Sequence, residues 1–102
     1  MEEKNIQEIQ FLEQGLQNIL FQKQAFQMEL SETQEALKEL ENSKGEVFKV
    51  IGQIMIKSEK SKMKEEMLNK AKISELRIKN LEKQEVSLSD RIEKIRNDGL
   101  KL

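Results

Sequence analysis

The 102-residue sequence contains no cysteine, histidine, proline, tryptophan or tyrosine. Without cysteine there is neither a disulfide framework nor a thiol nucleophile, and without histidine no side chain ordinarily exchanges a proton near neutral pH. The absence of proline removes the residue that most often breaks a helix. Four phenylalanines are the only aromatic residues, so material for a large compact core is scarce. These absences favour long helices over a globular enzyme.

An excess of one charge and a long apolar run are absent as well. The formal net charge is -1, which gives no reason to expect binding to a nucleic acid or an anionic membrane. No apolar stretch approaches the roughly 20 residues of a membrane-spanning helix, and no N-terminal run has the form of a signal peptide. We therefore expect a cytoplasmic protein with no nucleic acid and no membrane among its partners.

Catalytic and cofactor-binding groups are difficult to assemble from the remaining residues. The carboxylates are scattered along polar stretches without EF-hand spacing, and Gly45 and Gly52 are too isolated to form a phosphate-binding loop. The serines have no histidine to activate them. The sequence therefore predicts no enzyme, no catalytic residue, no metal site and no cofactor.

Residues 1–42 carry a heptad repeat. Mostly apolar residues recur in alternating steps of three and four, which is the a/d pattern of a left-handed coiled coil. The positions of this seam are Ile9, Leu12, Leu16, Ile19, Lys23, Phe26, Leu30, Thr33, Leu37 and Leu40. The pattern predicts a coiled-coil helix over residues 1–43, followed by Gly45 as a left-handed cap.

A second heptad repeat follows and predicts a coiled-coil helix over residues 59–98. Ser58 or Ser61 can cap its start, and Asn97-Asp98-Gly99 predicts fraying at its end. Its seam positions are Met67, Ala71, Ser74, Ile78, Leu81, Glu85, Leu88, Ile92 and Ile95. Glu85 predicts a less tightly packed helix pair. Four apolar residues off this seam predict a broader buried face near the start of the helix: Met63, Leu68, Ile73 and Leu76.

The two halves of the chain carry opposite charge. Residues 1–42 contain three lysines against nine glutamates, whereas residues 43–102 contain 15 Lys and Arg against 10 Asp and Glu. Two helices of opposite sign attract, although exposed ion pairs contribute only a few tenths of a kcal/mol each and are screened by salt. We expect the asymmetry to influence orientation more than stability.

The stretch VFKVIGQIMIK differs from both helices. Its β-branched and aromatic residues around Gly52 predict a β-hairpin over residues 46–57, with two strands of about five residues and a tight glycine turn. An isolated hairpin is only marginally stable, and both faces of this one are apolar. We therefore expect an oligomer interface made by Val47, Phe48, Val50, Ile51, Gly52, Ile54 and Ile56.

A tight hairpin reverses the chain, so the two helices are expected to pair as an antiparallel coiled-coil hairpin. The start of the first helix then lies beside the end of the second, where apolar residues are frequent. They include Ile6, Ile9, Phe11, Leu12, Ile95, Leu100 and Leu102. Ile6 and Phe11 fall off the seam and are expected to face solvent.

The central stretch resembles the prefoldin family. The family pattern is an apolar residue, an aromatic, Lys, two further residues, Gly and an apolar strand ending in Lys. Here it is Val47, Phe48, Lys49, Val50-Ile51, Gly52 and then Gln53 to Lys57. The single hairpin is similar to beta-class subunits, because alpha-class subunits carry two.

The resemblance implies a mainly α fold in which hairpins from several subunits form a β-barrel platform. The assembly it implies is a hetero-hexamer of alpha-class subunits and further beta-class copies, two alpha and four beta. Such a hexamer is an ATP-independent chaperone that delivers non-native polypeptides to a group II chaperonin. The client-binding residues it implies are the apolar tip residues Ile6, Ile9, Phe11, Leu12, Ile95, Leu100 and Leu102.

A different class of function is also compatible with the residues. A structural coiled-coil adaptor or scaffold protein would use the hairpin as a strand pair in a simple dimer, and the tip residues would be seam ends. The size of the protein with and without an alpha-class partner separates these alternatives, because an adaptor remains a dimer or a rod and a prefoldin subunit enters a hexamer.

Overall fold

The computed structural model describes residues 2–100 as two long helices joined by a β-hairpin. Helix α1 spans Glu3–Asn42, strands β1 and β2 span Val47–Ile51 and Ile54–Ser58, and helix α2 spans Lys60–Leu100. The predicted fold class, two long helices with a hairpin between them, is confirmed. The boundaries expected at 1–43, 46–57 and 59–98 differ from these by one or two residues at each end.

A lysine of α2 donates hydrogen bonds to backbone carbonyls at the end of α1. Lys60 Nζ donates hydrogen bonds to the backbone carbonyls of Glu41, at 3.2 Å, and Ser43, at 3.0 Å. The predicted left-handed cap at Gly45 is wrong, because among residues 2–100 only Gly52 has a positive φ. A cation near a helix C-terminus satisfies free carbonyls and interacts favourably with the helix dipole, so a glycine turn is not required there.

The start of α2 follows directly from the end of β2. The Met63 amide donates to the Glu59 carbonyl at 3.0 Å, which places Glu59 at the capping position. Neither Ser58 nor Ser61 holds it, because the strand continues through Ser58. At the other end the helix continues through Gly99 to Leu100, so the predicted fraying from Asn97 is also wrong for this part of the chain.

The hairpin has the predicted tight turn at Gly52. Strands β1 and β2 pair antiparallel with Ile51 opposite Ile54, which leaves Gly52 and Gln53 as the two turn residues. Gly52 has φ 60° and no other described residue has a positive φ. A positive φ at the first turn residue alone is the signature of a type II′ turn, whose twist suits the flanking strands.

Contacts group the described residues into two compact units. The terminal unit contains the residues up to Phe26 together with those from Arg77 onward, and the hairpin unit is Gln27–Leu76. In both units the helices run antiparallel. In the terminal unit Glu8 pairs with Arg91 and Lys23 with Glu85, so the partner number falls as the residue number rises. The hairpin unit shows the same order, because Glu29 pairs with Lys70 and Glu41 with Lys64.

The seam predicted from the heptads is the core of both units. All predicted seam positions of both helices are buried or half-buried. In the terminal unit the buried side chains of Ile9, Leu12 and Ile92 contact one another, with Leu16, Leu88 and Ile95 packed against them. In the hairpin unit Leu40 and Ala71 are buried. Thr33 is also buried there, and its hydroxyl donates to the Glu29 carbonyl at 2.8 Å.

The broader buried face predicted near the start of α2 is absent. Leu68, Ile73 and Leu76 are 50%, 54% and 59% exposed. A single partner helix covers one stripe, and positions off that stripe point away from it. These three side chains are therefore open to solvent, whereas Met63 is half-buried.

Each seam contains one charged residue, Lys23 in α1 and Glu85 in α2, and these two residues contact each other. Lys23 Nζ lies 3.0 Å from Glu85 Oε2, and the two side chains are 21% and 30% exposed. The hydrogen bond that Lys23 donates to Glu85 raises the pKa of Lys23 above its usual value of 10.5. Glu85 therefore has a partner across the seam, which the sequence did not predict. A charged pair at one level of a seam favours the register in which the two groups meet.

We predict that reversing one charge of this pair destabilises the protein and that reversing both restores it. Glu85→Lys places two ammonium groups on the seam and lowers the melting temperature. Adding Lys23→Glu recovers most of the loss, because the pair is rebuilt with opposite polarity. A melting temperature unchanged by Glu85→Lys alone would contradict a role for the pair.

The pH dependence of the same pair has a definite sign. Because the pKa of Lys23 is higher in the folded state, the contribution of the pair is complete below about 10.5. It is lost as the pH rises through the folded-state pKa. The melting temperature of wild type should therefore fall in strongly alkaline solution relative to that of a Lys23→Met, Glu85→Met variant, as followed by circular dichroism at neutral and alkaline pH.

We predict that Gly52→Val destabilises the chain by about 1 kcal/mol or more, through backbone strain at positive φ. A Cβ atom at Gly52 would have no heavy atom within 4 Å, so steric overlap is not the cause. Gly45→Ala is the matched control, because its Cβ also has open space and its φ is not positive. Equal denaturation midpoints for the two variants would contradict the assignment of the turn.

Candidate functional site

The hairpin carries apolar side chains that no other part of residues 2–100 covers. Gly52 and five large apolar residues of the predicted interface are exposed, and of these five Phe48 is the least exposed, at 44%, and Val50 the most, at 64%. Val47 is half-buried. Met55, absent from the predicted set, is 67% exposed, and its position opposite Val50 in the register is the signal that would have identified it. We call the exposed large apolar residues the hairpin surface: Phe48, Val50, Ile51, Ile54, Met55 and Ile56.

The hairpin surface occupies both faces of the sheet. Residues paired across an antiparallel ladder share a face, and successive pairs alternate between faces. Ile51–Ile54 therefore lies on one face and Val50–Met55 on the other. The sheet of the described residues has two strands only, so each strand also presents an outer edge of backbone donors and acceptors. Such edges readily pair with strands from another chain.

One face of the hairpin borders a groove along α2. Phe48 and Val50 line it from the strand side, and Met63 and Met67 line it from the helix. An ion pair of 3.0 Å between Lys49 and Glu66 links the same two elements. Methionine adapts its shape to a varied partner, so the groove can accept an apolar side chain from another chain.

The residues predicted to bind clients separate into a core group and an exposed group. Ile9 and Leu12 are 7% and 5% exposed and Ile95 packs against them. These three hold the terminal unit together rather than forming its surface. Ile6, Phe11 and Leu100 are exposed, and we call them the terminal surface. The seventh predicted residue, Leu102, lies outside the described residues.

The terminal surface points in more than one direction. Ile6, Ile9 and Leu100 line a shallow hollow. The ion pair between Glu13 and Arg96, at 2.6 Å, borders it. Phe11 is five residues after Ile6, which turns it about 140° around the helix. Phe11 is 75% exposed and does not line the hollow. Phe21 is also exposed, at 62%. It is not among the residues predicted from the sequence, because it lies off the seam and far along the sequence from the helix end.

The part of the chain that the structure describes contains no cluster of side chains that could bind a metal ion. Within residues 2–100 no group of three or more carboxylates could hold a metal ion. No helix among these residues combines the length and the apolar character needed to cross a membrane. The features left to explain are the two apolar surfaces.

Comparison with known proteins identifies a family with this arrangement. The family model described as prefoldin subunit matches residues 3–99. The prefoldin beta subunit of Thermococcus onnurineus is 36% identical over 85 residues, which are 81% of this chain and 73% of the relative. The prefoldin beta subunit of Archaeoglobus fulgidus is 34% identical over 88 residues, covering 84% of this chain and 76% of the relative.

A solved structure has the same fold. The crystal structure of the prefoldin beta subunit from Thermococcus strain KS-1 superimposes with a TM-score of 0.87 at 30% sequence identity. The alignment covers 93% of this chain and 85% of that one. Agreement extends through both helices and the hairpin. By family model, by sequence and by fold, this chain belongs to the prefoldin family as a beta-class subunit.

Proposed function

We propose that this chain is one subunit of an ATP-independent chaperone that captures non-native polypeptides and delivers them to a group II chaperonin in the cytoplasm. The observation that carries the proposal is the uncovered hairpin surface on a chain of the prefoldin family. A soluble protein that exposes so many adjacent apolar side chains normally covers them with a partner. Assembly is therefore the first step of the function.

The proposed partners in assembly are alpha-class prefoldin subunits and further copies of this chain. Both faces of the hairpin are apolar and both of its edges are open. Strands added at the edges complete the backbone hydrogen bonds, and a closed barrel removes the edges altogether. A hetero-hexamer of two alpha and four beta subunits with a shared β-barrel platform meets both needs.

The proposed contact with clients is made by the terminal surface. Non-native polypeptides expose apolar segments of no fixed shape, so a holder needs small apolar contacts rather than one fitted pocket. Burying about 200 Å² of apolar area yields roughly 5 kcal/mol before ordering costs. That is weak for one subunit. Several copies in one assembly raise the effective concentration, and each contact is still released easily.

Release and transfer in this proposal need no nucleotide. The contacts of each subunit are individually weak, so a chaperonin that offers a larger apolar surface can take over the client by competition. The role of the subunit is then to bind, to prevent aggregation and to pass the client on. Saturable binding of ATP by the purified chain would contradict this part of the proposal.

We predict that Ile54→Lys abolishes assembly. The substitution places a charge on the hairpin surface, where assembly would bury it without a partner. Helix content measured by circular dichroism should be retained, because Ile54 lies in β2 and is 62% exposed rather than part of the buried seam. Gln53→Lys is the matched control, since it adds the same charge in the exposed turn. Normal assembly of Ile54→Lys by light scattering would rule out the hairpin as the interface.

We predict that replacing Ile6, Phe11 and Leu100 together by serine abolishes suppression of client aggregation while the assembly keeps its size. All three side chains lie outside the buried seam, so helicity should change little. Val86→Ser is the control, because Val86 is 59% exposed on α2 in the same unit. If the triple variant protects a denatured client as well as Val86→Ser, the terminal surface is not the contact.

A further inference from the structure

Methionine is the only sulfur-containing residue type in this chain. Cysteine and methionine are the side chains that peroxides oxidise in proteins most often, and the sequence has no cysteine and no tryptophan, tyrosine or histidine either. Four of the five methionines lie among the described residues: Met28, Met55, Met63 and Met67. A peroxide that meets the folded chain therefore acts on methionine sulfur.

Exposure separates these four methionines into two pairs. Met28 and Met55 are 66% and 67% exposed, so a dissolved oxidant reaches both of them equally well. Met63 and Met67 are half-buried. The fold of the single chain therefore makes Met28 and Met55 the first of the four to be oxidised.

Position distinguishes Met55 from Met28. Met55 lies in β2 opposite Val50 and belongs to the hairpin surface, whose other members are phenylalanine, valine and isoleucine. Met55 is therefore the one member of that surface with a sulfur atom. Met28 lies in α1, outside the hairpin. The chain thus has an oxidisable side chain in the proposed subunit interface and an equally exposed one elsewhere.

We propose that Met55 is a site of reversible oxidation by peroxides, and that its sulfoxide keeps the subunit from assembling until it is reduced. The inference rests on the proposed function, because it takes the hairpin surface as the subunit interface. It goes beyond that function by making entry into the complex depend on the redox state of one side chain.

The reaction at Met55 transfers one oxygen atom from hydrogen peroxide to sulfur. A lone pair of the sulfur attacks one peroxide oxygen, the O–O bond breaks and an S–O bond forms. The departing hydroxide takes the proton of the transferred oxygen and leaves as water. Sulfur has then given up an electron pair and the peroxide has accepted it, so no further reactant is needed. A methionine sulfoxide reductase reverses the change.

A sulfoxide alters what the hairpin surface can bury. Oxidation turns the apolar thioether into a polar group with an oxygen that accepts hydrogen bonds. Met55 shares its face of the sheet with Val50, which also lines the groove along α2. A subunit packed on this face would bury the sulfoxide among apolar groups, which is unfavourable unless a donor meets it.

The charged side chain on the same face already has a partner. Lys57 lies two residues after Met55 and therefore points to the same side of the sheet, and its ammonium group is 2.9 Å from a carboxylate oxygen of Glu46. We expect each oxidised copy to enter the complex about tenfold less readily. The losses multiply when several copies of the chain enter one complex.

Assembly protects Met55 from the same reaction. A neighbouring subunit on the hairpin surface would cover Met55, whereas Met28 lies outside that surface. Oxidation therefore acts on the unassembled chain, and a complex that has already formed resists peroxide at Met55. The result is selective, because oxidised subunits are excluded from new complexes while existing complexes persist.

The test measures how each sulfoxide is distributed between assembled and unassembled protein. The wild-type chain is partly oxidised with hydrogen peroxide and mixed, in excess, with an alpha-class subunit. The complex and the free chain are then separated by size and analysed by peptide mass spectrometry. Met55 sulfoxide should be depleted about tenfold in the complex, whereas Met28 sulfoxide should be equal in both fractions. Treatment with methionine sulfoxide reductase before mixing should restore the yield of complex.

Two leucine variants assign the effect to one residue. Each variant is compared with its own untreated sample. Peroxide should lower the yield of complex for wild type and for Met28→Leu, because both retain Met55. It should not lower the yield for Met55→Leu, because leucine has no sulfur to oxidise.

Each alternative outcome has a distinct meaning. Equal Met55 sulfoxide in complex and free chain would overturn the inference and leave the proposed function intact. Depletion of both sulfoxides from the complex would also overturn it, because oxidation would then disturb the chain in general rather than its interface. If the untreated chain forms no complex with any alpha-class subunit, the proposed function and the inference fail together.

Discussion

The seam between α1 and α2 is the interaction on which the rest of the structure depends. It buries one stripe of each helix, and Ile9, Leu12 and Ile92 form its core in the terminal unit. Among the described residues no further layer covers the side chains that lie off that stripe. Apolar residues away from the seam, such as Phe11 and Ile73, are therefore exposed however hydrophobic they are. In the part of the chain that the structure describes, the same constraint leaves the hairpin surface uncovered, which is why the proposed function assigns it to assembly.

Polar groups within the seam give specificity to an interaction that is otherwise repetitive. Leucine and isoleucine in a heptad repeat tolerate a shift by one repeat, because the shifted side chains again meet apolar partners. Lys23 and Glu85 meet in one register only, and a shift would leave both without a partner. Four other ion pairs join the helices of the described residues, and all four place the acid on α1 and the base on α2, as the opposite charges of the two halves indicate. Charge thus selects how the helices align, while apolar burial supplies most of the stability.

Features that depend on one segment at a time were predictable from the sequence. Heptads gave the seam positions, and the glycine between two β-branched runs gave the turn at Gly52. Features that depend on two segments were not. The closure of α1 by Lys60, the pairing of Lys23 with Glu85 and the exposure of Leu68 each require knowing what lies opposite. For the same reason the seven apolar residues at the chain ends could not be divided into core and surface before the packing of Ile9 and Leu12 was known.

The central claim is that the hairpin surface is a subunit interface, and native mass spectrometry tests it most directly. The wild-type chain is measured alone and after co-expression with an alpha-class prefoldin subunit. The account predicts that co-expression yields a single complex with the mass of two alpha and four beta subunits. A chain that stays a monomer or a dimer in the presence of candidate alpha-class partners would contradict the claim and would favour a structural coiled-coil adaptor.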